Sequence, residues 1–454
     1  MFKKIYKTVS IFTVLLFMGL FLSGVTAKAA DYTNGVSVSG NTATIWFKSN
    51  VSTTWVDVHY KINSGAQQNF RMTYNSATGR YEQSVTVASG NVISYAFTYN
   101  NGTPAYDTAW VNYTVGSGTT NPPTTSGSIY SITASSIPTP TVSGAVNVKV
   151  MNGTNGAYAD SNIYWGVIGI NPATGKWCYL DLNGNLVPIS NALNDASGHL
   201  TKNGVNYANI YHKVSEANWV QMPKITSGRM FLSVGSPCYI KTYDTGFAGP
   251  NVDNPTDPNR DIYFDFVEFT VDNTGYHGNT TRVDGFGFPI QHRLVNKAGN
   301  YDKTVGELES ETRAGIFTKY QNEVPTEFKS LATIQAPYRI VAPIHGSFAV
   351  GGANANYFAG YSSYSTQDIL LGTNGLQQNP QICAAINRHV YTDTANWNNP
   401  TAYYKASPAN YYAKFWHDHS IDKLAYGFCY DDVNQQAAYL EVGDPKGLII
   451  RVGW

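Results

Sequence analysis

Residues 116–128, GSGTTNPPTTSGS, hold nothing but Gly, Ser, Thr, Asn and Pro. A run without one apolar side chain has nothing to bury, and its small residues keep the backbone loose, so it reads as a flexible linker. A 454-residue chain broken in this way does not share one core. Whatever folds on each side of the linker must bury its own surface.

Before the linker, residues 41–115 run as short stretches of alternating apolar and polar residues. Turn clusters such as Asn63-Ser64-Gly65 and Asn100-Asn101-Gly102 separate them. That spacing predicts a small all-β sandwich over 31–115. After the linker, 129–454 is again strand-like, with Val146, Val148 and Val150 in alternation and further runs at 164–170, 262–271 and 449–452. Helical spacing is confined to patches: 303–332, and 379–391, where Ile382, Ala385, Ile386 and Val390 recur at helical intervals. The larger region is therefore expected to be mainly β, with a smaller mixed α/β part.

The first thirty residues belong to neither. Lys3, Lys4 and Lys7 precede an almost wholly apolar run over 11–22, and Ala27-Lys28-Ala29 puts small residues at the positions a signal peptidase reads. The run is short for a membrane span and ends in a cleavage-like site, so 1–30 reads as an export signal. A mature chain starting near Ala30 or Asp31 is expected to be secreted, extracellular and free of the membrane once cleaved.

Charge narrows the partner. Charged residues are 13% of the chain and sum to zero net charge, which removes the electrostatic footprint that nucleic acid or an acidic membrane requires. Aromatics reach 14%, with 33 Tyr and 9 Trp. Rings with polar edges suit sugars, whose C–H faces stack while their hydroxyls hydrogen-bond. In the first module, strand parity puts Val56, Val58, Tyr60 and Ile62 on one face and Trp55, Asp57, His59 and Lys61 on the other. The same count sets Trp46 with Thr42, Thr44 and Lys48, and Trp110 with Asn112 and Thr114. Three tryptophans on polar faces, Trp46, Trp55 and Trp110, are candidate stacking platforms for a sugar chain.

The chemistry concentrates in 261–290, DIYFDFVEFTVDNTGYHGNTTRVDGFGFPI. Parity sets Ile262, Phe264 and Phe266 on the face of Glu268, Thr270 and Asp272, so a carboxylate continues an apolar stripe. Desolvation there would favour the protonated form that a general acid needs. Turn residues at 273–279 reverse the chain, and Arg282, Asp284 and Phe286 are expected on one face of the returning segment, with Glu268 and Asp284 symmetric about Tyr276. Two carboxylates facing one cleft are what glycoside hydrolysis requires.

The run FVEFTVDN…RVDGFGFPI, with RMFLSVGSPCYI upstream and ICAAINRHV and YYAKFWHDHSIDKLAYGFCYDDV downstream, resembles glycoside hydrolase family 64, the laminaripentaose-producing type of β-1,3-glucanase. The first module resembles carbohydrate-binding module family 56. The resemblance implies a thaumatin-like β-barrel or sandwich joined to a small α/β domain across a wide groove. It also implies inverting hydrolysis of β-1,3-glucan of the glucan endo-1,3-β-glucosidase type, with Glu268 as general acid, Asp284 as general base, and Thr270 and Asp272 as sugar contacts. No cofactor or metal is expected, and the protein is expected to act as a monomer on β-1,3-glucan.

Other motifs weigh less. His417-Asp418-His419 would share a face on a strand and could hold a metal, although a hydrogen-bonded structural role is favoured. Asp431-Asp432 could line the groove or sit solvated in a loop. The oxygen-rich loop at 253–261 lacks the glycine of an EF-hand. Four cysteines, Cys178, Cys238, Cys383 and Cys429, lack C-x-x-C spacing and leave three disulfide pairings or free thiols open. A non-catalytic thaumatin-like glucan-binding or antifungal protein is the alternative from another class. An inactive relative would be expected to lose Glu268 or Asp284, and both are present. An oxidative copper enzyme would need histidine at the mature N-terminus, where Ala30 or Asp31 stands.

Overall fold

Alternation over Thr42–Ser49 decides the first sheet: Ala43, Ile45 and Phe47 are buried while Thr44 and Trp46 between them stay in partial contact with solvent. The computed structural model describes residues 32–115, apart from 40–41, 77, 89, 103–104 and 109, and residues 127–454. The expected export signal at 1–30 and residues 116–126 of the linker lie outside the described residues. The chain divides into two compact units, 1–123 and 124–454.

Among the described residues the first unit has two antiparallel sheets. One orders Tyr32–Ser39, Thr42–Ser49, Arg80–Thr86 and Thr73–Asn75; the other orders Gln68–Arg71, Val56–Ile62, Val92–Asn100 and Ala105–Asp107, with Val111–Thr114 also on Val92–Asn100. Ile45 and Phe47 from the first meet Val56, Val58, Ile93 and Phe97 from the second in a single apolar layer. This is a β-sandwich.

The second unit repeats the principle on a larger scale. A five-stranded sheet is ordered Val220–Met222, Val146–Gly153, Pro445–Gly453, Ile290–Asn296 and Asp302–Gly306. It faces an eight-stranded sheet whose central strands are Ile163–Asn171, Ile225–Val234, Tyr263–Val271 and Tyr276–Thr280. Val148, Leu294 and Ile450 of the smaller sheet pack on Trp165, Leu232 and Val267 of the larger one. The sheets remain separate, so the β layers form a sandwich. The first and last segments of this unit meet inside the small sheet, where Val146–Gly153 pairs in parallel with Pro445–Gly453.

Among the described residues five α-helices lie between and beside these strands: Arg313–Glu323, Thr326–Lys329, Thr366–Leu371, Pro380–Asn387 and Tyr411–Asp418. Arg313–Glu323 and Pro380–Asn387 fall where helical spacing predicts them. Tyr411–Asp418 lies outside those patches; it buries Tyr412, Ala413, Phe415, Trp416 and His417 and pairs Lys414 with Asp418 on its open side. Among the described residues no helix is long and apolar enough to cross a membrane. All four cysteines are free thiols. Burial pushes Cys178 up to about 11 and Cys238 up to about 12, which leaves them protonated and unreactive. Cys383 and Cys429 lie 3.8 Å apart, sulfur to sulfur.

The helical part is tied to the sheets through Arg282. Its guanidinium donates to Glu307 at 2.6 and 2.9 Å and to Asp265 at 2.9 and 3.0 Å, and all three side chains are almost fully buried. The carboxylates are further satisfied by the amides of Gly287 and Ile290. Tyr412, from the last helix, donates to the Arg282 carbonyl at 2.6 Å. Removing one member of such a cluster strands the other charges in a dry interior, at a cost of about 3–5 kcal/mol. Arg282→Met is therefore expected to lower the unfolding free energy of the second unit by about 3–5 kcal/mol, read from the shift of its guanidinium unfolding midpoint.

Candidate active site

The strand Tyr263–Val271 builds the site by parity. Val267, Phe269 and Val271 enter the core between the sheets, and Phe264 and Phe266 point the other way, toward Phe231 and Ile168. Glu268 and Thr270 continue that second face where its apolar cover ends, as the alternation predicts. Glu268 is not desolvated, however. Its side chain is 39% exposed, and it accepts a 2.5 Å hydrogen bond from Arg229, its direct partner on the neighbouring strand Ile225–Val234. The guanidinium lies 4.2 Å over the Phe266 ring, which fixes it against the sheet.

The returning strand is shorter than parity implies. Tyr276–Thr280 pairs Asn279 with Glu268, so the hairpin centres between Asn273 and Thr274 rather than on Tyr276. Asp284 lies five residues beyond Asn279 (284 − 279), in a bend that has left the sheet. Arg282, Asp284 and Phe286 do not share a face. Arg282 and Phe286 are buried, whereas the Asp284 side chain is 48% exposed. Two glycines steer this segment. Gly285 has φ +152°, and a Cβ on Gly287 would stand 1.9 Å from the Phe264 carbonyl oxygen, so neither position admits a side chain without displacement. Gly285–Phe286 then pairs with Ile340–Val341.

Two cavities adjoin here. One, of about 280 Å³, is lined by Arg229, Phe231, Phe266, Asp284, Phe286 and His345 among others. The second, of about 530 Å³, is lined by Trp177, Phe247, Glu268, Thr270, His277 and Tyr439 among others, and again by Arg229. Arg229 thus stands at the junction of a cavity holding Glu268 and one holding Asp284. Burial pushes the Asp284 carboxyl up, but the hydrogen bond and charge of His345 and the charge of Arg229 outweigh it, leaving the group below the usual carboxylate range.

Asp272 lines neither cavity. Its carboxylate accepts from the Thr274 amide at 2.7 Å and from the Thr274 hydroxyl at 2.5 Å, bonds that hold it below the ordinary range and organise the hairpin turn. Thr274 in turn contacts His277 Nε2 at 2.7 Å, and Tyr439 contacts His277 Nδ1 at 3.2 Å. Sequence reasoning misses Arg229, His277 and His345. For Arg229 a signal exists: Ser227, Arg229 and Phe231 alternate with the buried Met230 and Leu232. His345 has none, because it is brought in from the helical part.

The other motifs find structural partners. His417 and His419 sit at a helix end and diverge: His417 contacts Asp431 at 3.0 Å and the Lys423 carbonyl, and His419 contacts Glu311 and Glu323. Asp431 is fully buried between His417 and Arg388 and does not line the groove. The loop at 253–261 spreads its carboxylates, with Asp253 on His345, Asp257 on the amides of Asn251 and Asn259, and Asp261 on Lys202.

In the first unit the tryptophans divide between two sheets. Trp46 lies on the outer face of the sheet that contains Tyr32–Ser39, above Gly35 and under the Arg80 guanidinium at 3.9 Å. Trp55 and Trp110 flank the outer face of the other sheet, beside Arg71 at 4.4 Å and Lys61 at 5.1 Å. Between them runs a polar row in which Asp57 pairs with Arg71, His59 contacts Asn69 and Thr98, and Thr98 donates to Asp107. The three tryptophans therefore lie on two outer faces, with Trp55 and Trp110 sharing one.

The comparisons agree with a two-module sugar-handling protein. A family model described as β-1,3-glucanase of glycoside hydrolase family 64 matches residues 144–376 and 364–452, and carbohydrate binding module family 56 matches residues 34–108. The chain belongs to glycoside hydrolase family 64. It is 69% identical to the family 64 laminaripentaose-producing β-1,3-glucanase from Paenibacillus barengoltzii, solved in complex with laminarihexaose, covering 94% of this chain and 100% of that one at a TM-score of 0.73. A β-1,3-glucanase domain from Clostridium beijerinckii is 40% identical over 69% of this chain and 100% of its own, with a TM-score of 0.66. A glucan endo-1,3-β-glucosidase from Cellulosimicrobium cellulans is 24% identical over 51% of this chain and 53% of its own length. The chain spans about half the length of the curated relatives it matches.

Arg229 and Glu268 form a half-exposed pair, and such pairs add little to stability. Arg229→Gln is expected to change the unfolding free energy by less than about 1 kcal/mol in guanidinium titration, in contrast to Arg282→Met.

Proposed function

We propose that this protein is a secreted, inverting β-1,3-glucanase. On a thaumatin-like scaffold it cuts laminarin- or curdlan-type glucan to short oligosaccharides, chiefly laminaripentaose, and works as a monomer. Glu268 is the general acid and Asp284 the general base. The observation that carries the reading is the placement of two half-exposed carboxylates on adjoining cavities either side of Arg229, on elements that are not direct cross-strand partners.

Inversion needs room for a water between the carboxyl groups, about 6.5–9.5 Å in most such enzymes. Directly opposed hairpin residues would stand only ~5 Å apart at Cβ. By leaving the sheet before Asp284, the chain escapes that limit. A sugar ring over the larger cavity would present its glycosidic oxygen to Glu268, with Thr270 and Trp177 as contacts, while Asp284 takes a proton from the water attacking the opposite face of the anomeric carbon. Substrate and product follow the 69%-identical laminaripentaose-producing relative. The non-catalytic alternative has no residue in its favour.

The first module supplies retention. Trp55 and Trp110 at the ends of one polar sheet face suit an elongated, uncharged chain, stacking on rings while Asp57, His59 and Asp107 meet hydroxyls. Trp46 lies on the opposite sheet, packed on Gly35 and stacked with the Arg80 guanidinium.

Chromatography of a curdlan digest is expected to show a dominant pentasaccharide. Proton NMR of the first product should give the α-anomer ahead of mutarotation; an initial β-anomer would make Asp284 a nucleophile instead. Glu268→Gln and Asp284→Asn should each cost about 10²–10⁴-fold in kcat with the fold retained. For residues 31–115 alone, Trp110→Ala and Trp55→Ala should each weaken curdlan binding by about 1 kcal/mol, roughly fivefold in Kd, and Trp46→Ala should not. Co-sedimentation with curdlan measures all three.

A further inference from the structure

Among the described residues His345 is the one imidazole lining the cavity that holds Asp284, and its position is built rather than incidental. The pairing of Gly285–Phe286 with Ile340–Val341 ties the segment carrying Asp284 to the one carrying His345, and the Ala342 amide donates to the Asp284 carbonyl at 3.3 Å. The turn Pro343–His345 then folds the ring back over the cavity, where only 17% of its side chain remains exposed. On its far side, Nδ1 lies 2.9 Å from both carboxylate oxygens of Asp253. Nε2 faces Asp284 Oδ1 at 3.6 Å.

We propose that Asp253 and His345 form a positioning pair for Asp284: Asp253 fixes and charges the imidazole, and the imidazolium holds Asp284 Oδ1, so that Oδ2 is left to receive the proton of the attacking water. The inference rests on the reading of Asp284 as general base. His419 also stands between two carboxylates, Glu311 and Glu323, but it lines neither cavity, whereas His345 turns one ring nitrogen toward a half-exposed carboxylate inside the cavity that it lines. The charged groups facing this pair from the surrounding elements are few and otherwise engaged. Arg229 bonds Glu268, Asp265 is held by Arg282, and Arg339 bonds Gln335 and three backbone carbonyls. The Tyr412 hydroxyl, also near Asp284, donates to the Arg282 carbonyl.

The directions agree. Burial pushes His345 down, but its bonds to Asp284 and Asp253 outweigh this and raise it, so the imidazolium persists further toward neutral pH. Asp284 is held low and is therefore ionised, and able to act as a base, at more acidic pH than an isolated carboxylate in that cavity. The benefit is present above the lowered value of Asp284 and fades as pH rises through the raised value of His345. Loss of the imidazolium should then show on the acid side.

The test is the pH dependence of kcat/KM on soluble laminarin for the full-length parent, His345→Gln, Asp253→Asn and Asp284→Asn. His345→Gln is expected to move the acid limb up by about one pH unit, as a cation within 4–6 Å typically does for a carboxylate. Its rate deficit against the parent should be about tenfold below the limb and should shrink toward alkaline pH, with KM little changed. Asp253→Asn, a largely exposed side chain whose loss leaves the core intact, should shift the limb in the same direction by less, and it serves as the test should His345→Gln fail to fold. An unmoved acid limb in the folded variants, or a loss that is uniform across pH, overturns the positioning role while Asp284→Asn remains inactive. If Asp284→Asn itself retains parent activity, the general-base reading has failed and the positioning pair falls with it.

Discussion

Arg282 is the residue on which the geometry of the second unit depends. It leaves the hairpin strand two residues before Asp284, and its guanidinium closes on Asp265 from the central strand of the large sheet and on Glu307 from the end of the small one. The two carboxylates carry the arrangement further. Asp265 accepts the amide of Gly287 and Glu307 that of Ile290, so the chain on both sides of Asp284 is pinned to the same cluster. A guanidinium shared by two dry carboxylates is costly in desolvation but strict in geometry, because each charge is satisfied through directional hydrogen bonds to the others and to nearby amides. The flanking Phe286 and Trp416 rings close the cluster toward the helical part.

The same region shows how a sheet becomes a cleft. Over the strand Tyr263–Val271 one face carries Val267, Phe269 and Val271 into the core and Asp265 to Arg282, while the other changes from Phe264 and Phe266 to Glu268 and Thr270. Arg229 stands at that border, over the Phe266 ring and bonded to Glu268, so one cation is shared by an aromatic floor and an acidic wall. Such a site stays wet without substrate. On the proposed role of Glu268 as proton donor, the desolvation that it needs would come from the sugar that covers it rather than from the resting fold.

The first unit applies the same economy with fewer residues. Its core is a single apolar layer, so every second residue of each strand is free for another purpose. One outer face is given to Trp55, Trp110 and a row of hydrogen-bonding side chains; on the other, Trp46 is spent on covering Gly35 and stacking with Arg80. Parity separates inward from outward for all three rings. It cannot say which outward face a ring belongs to, because that depends on which strands join which sheet.

That distinction marks what the sequence by itself determined. Two folding units either side of a linker without apolar residues, mostly β structure, the buried and exposed faces of strands such as Val56–Ile62 and Tyr263–Val271, and helices at Arg313–Glu323 and Pro380–Asn387 all follow from periodicity and composition, which are local. The likeness to β-1,3-glucanases of family 64 was carried by long ordered motifs. Only the tertiary structure decided the rest. It paired Asn279 rather than Asp284 with Glu268, placed Arg229 between the two cavities, used Asp272 in a turn, buried Asp431, and brought His345 onto Asp284 from 61 residues away (345 − 284). Each of these is a contact between segments whose separation along the chain carries no period. Charge partners and cavity walls are set by which surfaces the hydrophobic core forces together, and a local pattern contains no record of that choice.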